Sequence, residues 1–322
     1  MNVEMKKENK QKTFLQSIFQ KLKGKFSMIF VFALLAVISI GLVALMVWGM
    51  YTSLKTQTNW DNDPIGLPTG WPWEWSWGNF AEVFARFKVR VDYFDANGNI
   101  IASKVPIDVA YMTMYTLIYA GGGAVVNGLV ICLMGYVTAK FPNACSRIIT
   151  VVVITVMALP IVGSYTSELK MMMDLGLYNT LYGALIQKAN FLGMYFLVFQ
   201  EFFKGLSKDY AEAAELDGAS EFRVMWNIMI PMARNILFTI ILLNFVGFWN
   251  DYNSPLLYFP SYPTLAYGLY YITSGPGAYD PATQSPPMRL AASMIIFVPL
   301  LAIFIIFRDR IIGDVTLGGV KE

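Results

Sequence analysis

Six apolar runs, each near the roughly 20 residues that a helix needs to cross a bilayer, decide what this chain can fold into; they lie at about 28–51, 111–139, 148–167, 181–203, 236–258 and 290–307. Inside lipid, a backbone must satisfy its own polar groups, which favours helices. Composition agrees, because 56% hydrophobic residues, 14% charged residues and a mean hydropathy of +0.49 are too apolar for a soluble domain of 322 residues. The expected fold class is an all-α polytopic membrane protein with six transmembrane helices.

Lysine and arginine orient the spans, since segments retained in the cytoplasm carry the positive excess. Seven lysines lie in the first 25 residues, Lys140 and Arg147 flank the second short loop, and Arg308 and Arg310 follow the last span. Lys204, Lys208, Arg223 and Arg234 sit in the fourth loop, whereas 255–288 has no lysine or arginine. Both termini and the fourth loop are therefore expected in the cytoplasm. This topology accounts for the net charge of +2 and gives no reason to invoke nucleic acid.

The apolar run after residue 27 is too long for a signal-peptide core, and no small-residue cleavage site ends it, so it reads as a retained first span. Upstream, Phe14, Leu15, Ile18, Phe19 and Leu22 form one helical face among lysines, the pattern of a helix lying on the inner leaflet. The expected organisation is a cytoplasmic segment 1–26, a first helix with its external loop 27–106, a transmembrane domain 107–308 and a cytoplasmic tail 309–322. Cys132 and Cys145 fall towards the reducing side and are expected as free thiols.

The first external loop, 52–106, is the one segment expected to be non-helical. Four indoles crowd Trp71-Pro72-Trp73-Glu74-Trp75-Ser76-Trp77, either as an interfacial aromatic belt or as a contact for sugar or protein. Asn97-Gly98, between alternating segments at 90–94 and 100–103, signals a small external β-hairpin.

The fourth loop carries the best clue to function. Glu212-Ala213-Ala214 is followed by Gly218 and then by Ile228, Ile230 and Pro231. The spacing predicts a short helix over 207–216, closed by Gly218, and a second helix capped by Ser220 that stops before Pro231. Taken alone this is an ordinary capped loop. Between membrane spans, with all parts at their fixed offsets, it resembles the EAA loop of permease subunits of binding-protein-dependent ABC importers.

Other segments look like the carbohydrate-uptake branch of that family, in particular its smaller maltose-type permease subunit. They are Leu159-Pro160, Leu177-Tyr178-Asn179-Thr180-Leu181, Trp249-Asn250-Asp251-Tyr252, Thr264-Leu265 with Gly268-Leu269, and the ending from Gly313 to Lys321, where Gly319 and Glu322 depart from the family's usual Ala and Gly. The resemblance implies a bacterial cell-membrane protein that pairs with a second, different permease subunit, docks two ATPase subunits on one face and meets an extracytoplasmic solute-binding protein on the other. It implies that Glu212, Ala213, Ala214, Asp217 and Gly218 couple the pathway to the ATPases. Consistent with that division, the sequence has no Gly-x-x-x-x-Gly-Lys-Ser/Thr loop, so ATP is expected to be handled by another polypeptide. No catalytic residue, cofactor or metal site is assigned to this chain.

In the fifth span, Asn244, Phe248, Trp249, Asn250 and Tyr252 combine aromatic faces, which suit the C–H faces of sugars, with carboxamides that exchange hydrogen bonds with hydroxyls. They are substrate-pathway candidates for a glycan. The competing reading packs the aromatics against neighbouring helices. Asn127 and Gly121-Gly122-Gly123 read as packing features. The loop 260–287, rich in Gly, Pro and Tyr, is a candidate contact for the binding protein.

The function expected is inward movement of an oligosaccharide or related glycan by ATP-driven alternating access. The alternative is a secondary, ion-coupled sugar transporter. That would need intramembrane carboxylates, for which Asp251 and Glu168 are the few candidates, and would leave the EAA loop unexplained. A membrane enzyme finds little support in a chain with no histidine and two cysteines.

Overall fold

The computed structural model describes residues 28–94, 100–159, 163–279, 281 and 284–315. The expected surface helix around 14–22, the hairpin turn 95–99, Pro160 and the tail from 316 lie outside the described residues. The chain divides into two compact units between Ser76 and Trp77.

The first unit holds α1 (Met28–Thr52), an apolar helix of 25 residues, followed by α2 (Gln57–Asn62) and a tight turn at Pro72–Glu74. The loop expected to be non-helical thus begins with a helix. Thr56 starts α2 by accepting the Asn59 N–H on Oγ1 at 3.1 Å.

The second unit opens with α3 (Gly78–Arg86), whose Val83 is buried, as is Phe87 just beyond it. Strands β1 (Lys88–Phe94) and β2 (Ile100–Asp108) pair antiparallel, from Lys88 opposite Asp108 to Phe94 opposite Ile100, with the register shifting between Val91 and Phe94. Their buried Val89, Val91 and Ile107 join Val83 and Phe87 in one apolar cluster. Asp92 steadies the pair by accepting from Ser103 Oγ at 2.7 Å and the Lys104 N–H at 2.8 Å. The backbone N–H above all, then the hydroxyl, hold its carboxyl below the usual carboxylate range.

Then come α4 (Val109–Thr116), a wider π-wound stretch Leu117–Gly122, and α5 (Gly123–Lys140), together one helix of 32 residues. The rest is helical: α6 (Ala144–Ala158), α7 (Ser164–Asp174), α8 (Leu181–Gln187), α9 (Met194–Gly205), α10 (Asp209–Leu216), α11 (Glu221–Val224), α12 (Ile230–Met232), α13 (Arg234–Trp249), α14 (Asn253–Tyr258), α15 (Leu265–Thr273) and α16 (Pro286–Val315). Short polar caps start many of them. Asp108, Asn143, Thr180 and Thr264 each accept a backbone N–H from the first turn of α4, α6, α8 and α15.

Among the described residues, three helices are long and apolar enough to cross a membrane, and a fourth is added if the bent pair Glu221–Met232 and Arg234–Trp249 counts as one span. The expected third, fourth and fifth spans are each divided between shorter helices, the fifth at residues 250–252 between α13 and α14. Helix α6 stops at Ala158 because Leu159, preceding a proline, turns extended at φ −91° and ψ 122°. Helices α8 and α9 are parted by residues 188–193, which end on a fully extended Gly193.

The bundle packs around α5. A methyl added to Gly135 would stand 2.6 Å from Phe199 Cβ and 3.1 Å from Gln200 N, so α9 lies against a bare backbone. Of Gly121-Gly122-Gly123, which the sequence marks for packing, a methyl on Gly122 or Gly123 would stand 3.0 Å from Leu185 or 3.2 Å from Lys188, whereas one on Gly121 would meet nothing within 4 Å. Gly135→Val is therefore expected to cost about 1–3 kcal/mol by overpacking. Gly121→Ala should be neutral or stabilising, by up to about 1 kcal/mol of helix propensity. Thermal unfolding of the two purified variants checks the contrast.

Candidate functional site

Helix α10 begins after Ser207, whose Oγ accepts the Asp209 N–H at 3.2 Å, and it ends in a Schellman motif. The Gly218 N–H reaches Glu215 O and the Ala219 N–H reaches Ala214 O, both at 2.9 Å. Gly218 has φ +83°, while a methyl there would meet nothing within 4 Å. Backbone conformation, and not crowding, requires glycine at this point.

The two faces of α10 differ. Ala211 and Ala214 pack inward, with Ala219, on the buried cluster of Tyr136, Phe203, Val224 and Met229. Glu212, Ala213, Asp217 and Gly218 are exposed, and Leu216 is 89% exposed. Of the five residues predicted to couple, Ala214 thus serves its own chain's core, and the other four form the outward surface. Beside them Phe222 and Trp226, both exposed, stack with rings 6.3 Å apart. A cleft of about 250 Å³ separates α10 from the end of α5, lined by Lys140, Lys208, Glu212, Glu215 and Glu221 among others. Lys140 Nζ, at the end of α5, donates to Leu206 O, at the end of α9, at 3.0 Å.

Ser220 caps α11, accepting the Arg223 N–H at 3.4 Å. The helix does not stop before Pro231 as the sequence predicts. It widens over Met225–Met229, where the Ile230 N–H reaches Met225 O five residues back, and so takes Pro231 in before breaking at Ala233. There the path bends by 71° into α13. Loop and α13 form one bent lever.

The far end of α13 is held by side chains. Asp251 Oδ2 lies 3.6 Å from Lys188 Nζ and accepts from the Tyr119 hydroxyl and Ser254 Oγ, each at 2.6 Å. The Lys188 ammonium also stands over the Phe248 and Tyr119 rings, 4.8 and 5.2 Å from their centroids. Further back along α13, Asn244 Nδ2 donates to Asn127 Oδ1 at 2.7 Å, and Asn127 Nδ2 donates to Lys188 O and Asn190 O at 2.8 Å. These bonds satisfy carbonyls that the break between α8 and α9 leaves without helical partners. The break and α13 are bolted together at two levels.

Among the pathway candidates, the structure brings Asn244 and Phe248 into this network. Trp249 is buried and donates to Ile296 O on α16 at 3.1 Å, so it packs between helices. Asn250 is exposed and bonds back to Val246 O at 2.9 Å. Tyr252 stacks on Tyr270, rings 4.8 Å apart. Glu168 accepts from Gln187 at 2.9 Å and Tyr258 at 2.8 Å. Sequence reasoning missed Lys188, although a lysine inside an expected span is itself a signal of a buried partner.

Residues 131–315 match the family described as binding-protein-dependent transport system inner membrane component. The chain is 26% identical over 293 residues to the diacetylchitobiose uptake system permease protein NgcG of Streptomyces coelicolor, covering 89% of this chain and 86% of that one. It is 27% identical over 191 residues to the arabinooligosaccharides transport system permease protein AraQ of Halalkalibacterium halodurans, covering 59% of this chain and 66% of the relative. In fold it is similar to a chain of a bacterial ABC transporter involved in the import of the acidic polysaccharide alginate, with a TM-score of 0.63, 17% identity, and 87% and 96% of the two chains covered.

Proposed function

This chain belongs to the family of binding-protein-dependent transport system inner membrane components, and from that premise we propose that it is one of two permease subunits of an ABC importer that moves an oligosaccharide or related glycan inward by ATP-driven alternating access. The observation that carries the proposal is the exposed, Schellman-capped helix α10 at one end of a lever whose other end is bolted to the broken segment between α8 and α9. The resemblance to permease proteins of diacetylchitobiose uptake and arabinooligosaccharide transport systems supports the substrate class.

In this reading, two separate ATPase subunits close on the loop, with Glu212 meeting a basic or amide group and Ala213 allowing close approach. Gly218 fixes the angle at which α10 leaves for α11. Force on α10 travels through α11 and α12 to α13, which carries residues 188–190 with it through Lys188, Asn127 and Asn244. Because this route is made of helix and paired polar groups, little of the displacement is lost. The six apolar runs support six crossings, and the distribution of lysine and arginine supports a cytoplasmic side for both termini and α10, with an extracytoplasmic binding protein opposite. Tyr252 on Tyr270, with exposed Asn250 nearby, remains the pathway surface best suited to a sugar face.

A thiol at the coupling surface tests the contact. With the exposed Cys145 changed to serine, Glu212→Cys is expected to form a nucleotide-sensitive cross-link to the ATPase in the assembled transporter. A thiol there that reacts with solvent reagents equally well with and without the ATPase contradicts the reading.

A further inference from the structure

In the first unit, the chain folds back on itself beyond α1. Its loop 55–75 is closed on the end of α1, where the Ser76 N–H donates to Leu54 O at 2.9 Å. Trp48 Nε1 donates to Pro64 O at 3.2 Å, the Tyr51 hydroxyl to Ile65 O, and Lys55 Nζ to Asp63 O at 2.6 Å. Residues 63–65 are thereby fixed beside the last turns of a helix of membrane-spanning length, whose Leu45, Val47 and Met50 are uncovered.

The loop exposes apolar side chains beside polar groups that are bonded within it, and Asp61, Asp63 and Glu74 are exposed as well. Its carboxylates close its own turns: Asp63 Oδ1 accepts the Ile65 and Gly66 N–H groups at 3.0 and 2.8 Å, and Glu74 Oε2 accepts the Trp71 N–H at 2.9 Å. Thr69 Oγ1 bonds to Asn59 at 2.9 Å, and Lys55, the loop's one cation, is buried. Its apolar side chains point out, with Ile65 77%, Leu67 66%, Trp71 65% and Trp73 72% exposed. The Trp71 and Trp73 rings stack 5.2 Å apart.

We propose that this loop is a membrane anchor, with Ile65, Leu67, Trp71 and Trp73 inserted at the headgroup boundary of the leaflet where α1 ends. Two observations select lipid as the occupant. Residues 63–65 are tied to the last turns of a bilayer-length helix whose Leu45, Val47 and Met50 are uncovered, and the loop's aromatic content is tryptophan, whose apolar body and N–H donor match that boundary. With its single cation buried, the loop binds through apolar insertion and does not need anionic headgroups. The anchor fixes the depth and tilt of α1 independently of the coupling loop.

Spin labels test it on the full chain in nanodiscs of zwitterionic lipid, with Cys145→Ser removing the exposed thiol. Labels on Leu67→Cys and Trp73→Cys are expected to collide with oxygen several-fold more, and with a water-soluble nickel chelate several-fold less, than a label on Asn62→Cys in the same loop. Nickel accessibility equal to that at position 62 would overturn the anchor. Shielding from both reagents in the assembled transporter would assign the surface to a protein partner instead, and protection appearing only on adding oligosaccharide would assign it to a glycan.

Discussion

Lys188→Met is expected to destabilise the chain by about 3 kcal/mol or more, because it leaves the Asp251 carboxylate partly buried without its cation. The Tyr119 and Ser254 hydroxyls still donate to that carboxylate, so the loss should sit at the low end of the range for broken buried pairs. Asp251→Asn leaves the opposite problem, an ammonium held by one hydroxyl at 3.3 Å and two aromatic faces. The double variant Lys188→Met/Asp251→Asn removes both charges and should recover much of either loss. A double-mutant cycle read by thermal unfolding measures this. Additive losses would mean that the two charges do not interact, and the upper bolt between α13 and the break would then not exist.

The second large effect is at the loop. Gly218→Val forces a β-branched residue into φ +83°, a region that costs an L-residue roughly 1–2 kcal/mol or more. A penalty near 1.4 kcal/mol already depletes the native loop geometry about tenfold. Binding-protein-stimulated uptake is therefore expected to fall by about tenfold or more, with membrane insertion and yield unchanged, since a side chain at this position meets no neighbour within the chain. Gly218→Asn, which tolerates the left-handed conformation, should keep much of the activity. Equal uptake by the valine variant and the parent would show that the turn does not transmit force.

The turn at Gly218 and the cap at Ser220 were legible in the sequence because both are local: each depends on residues within a few positions, and their chemistry is written in residue type. The passage of the helix through Pro231 was not, since it depends on a register change at Met225–Met229 that no single residue announces. The division of the third and fourth spans was half legible: Leu159-Pro160 marks the first break, whereas the break at 188–193 is stabilised by Asn127, on another helix. The same holds for Lys188 with Asp251 and for Asn244 with Asn127, pairs that only the packed bundle brings together. Trp249 shows the opposite difficulty. Its residue type fits a sugar surface, but its N–H is committed to Ile296 O, three residues before Pro299 in α16.

If α10 couples this chain to an ATP-driven partner, ATP hydrolysis by the reconstituted assembly must depend on the loaded binding protein. The chain is combined in proteoliposomes with a second permease subunit, the ATPase and the binding protein, and hydrolysis is followed while the binding protein is loaded from a panel of oligosaccharides. Stimulation by one glycan class is expected, accompanied by uptake of that glycan, with both abolished when the ATPase is omitted. Uptake that persists without the ATPase and follows an ion gradient would contradict it.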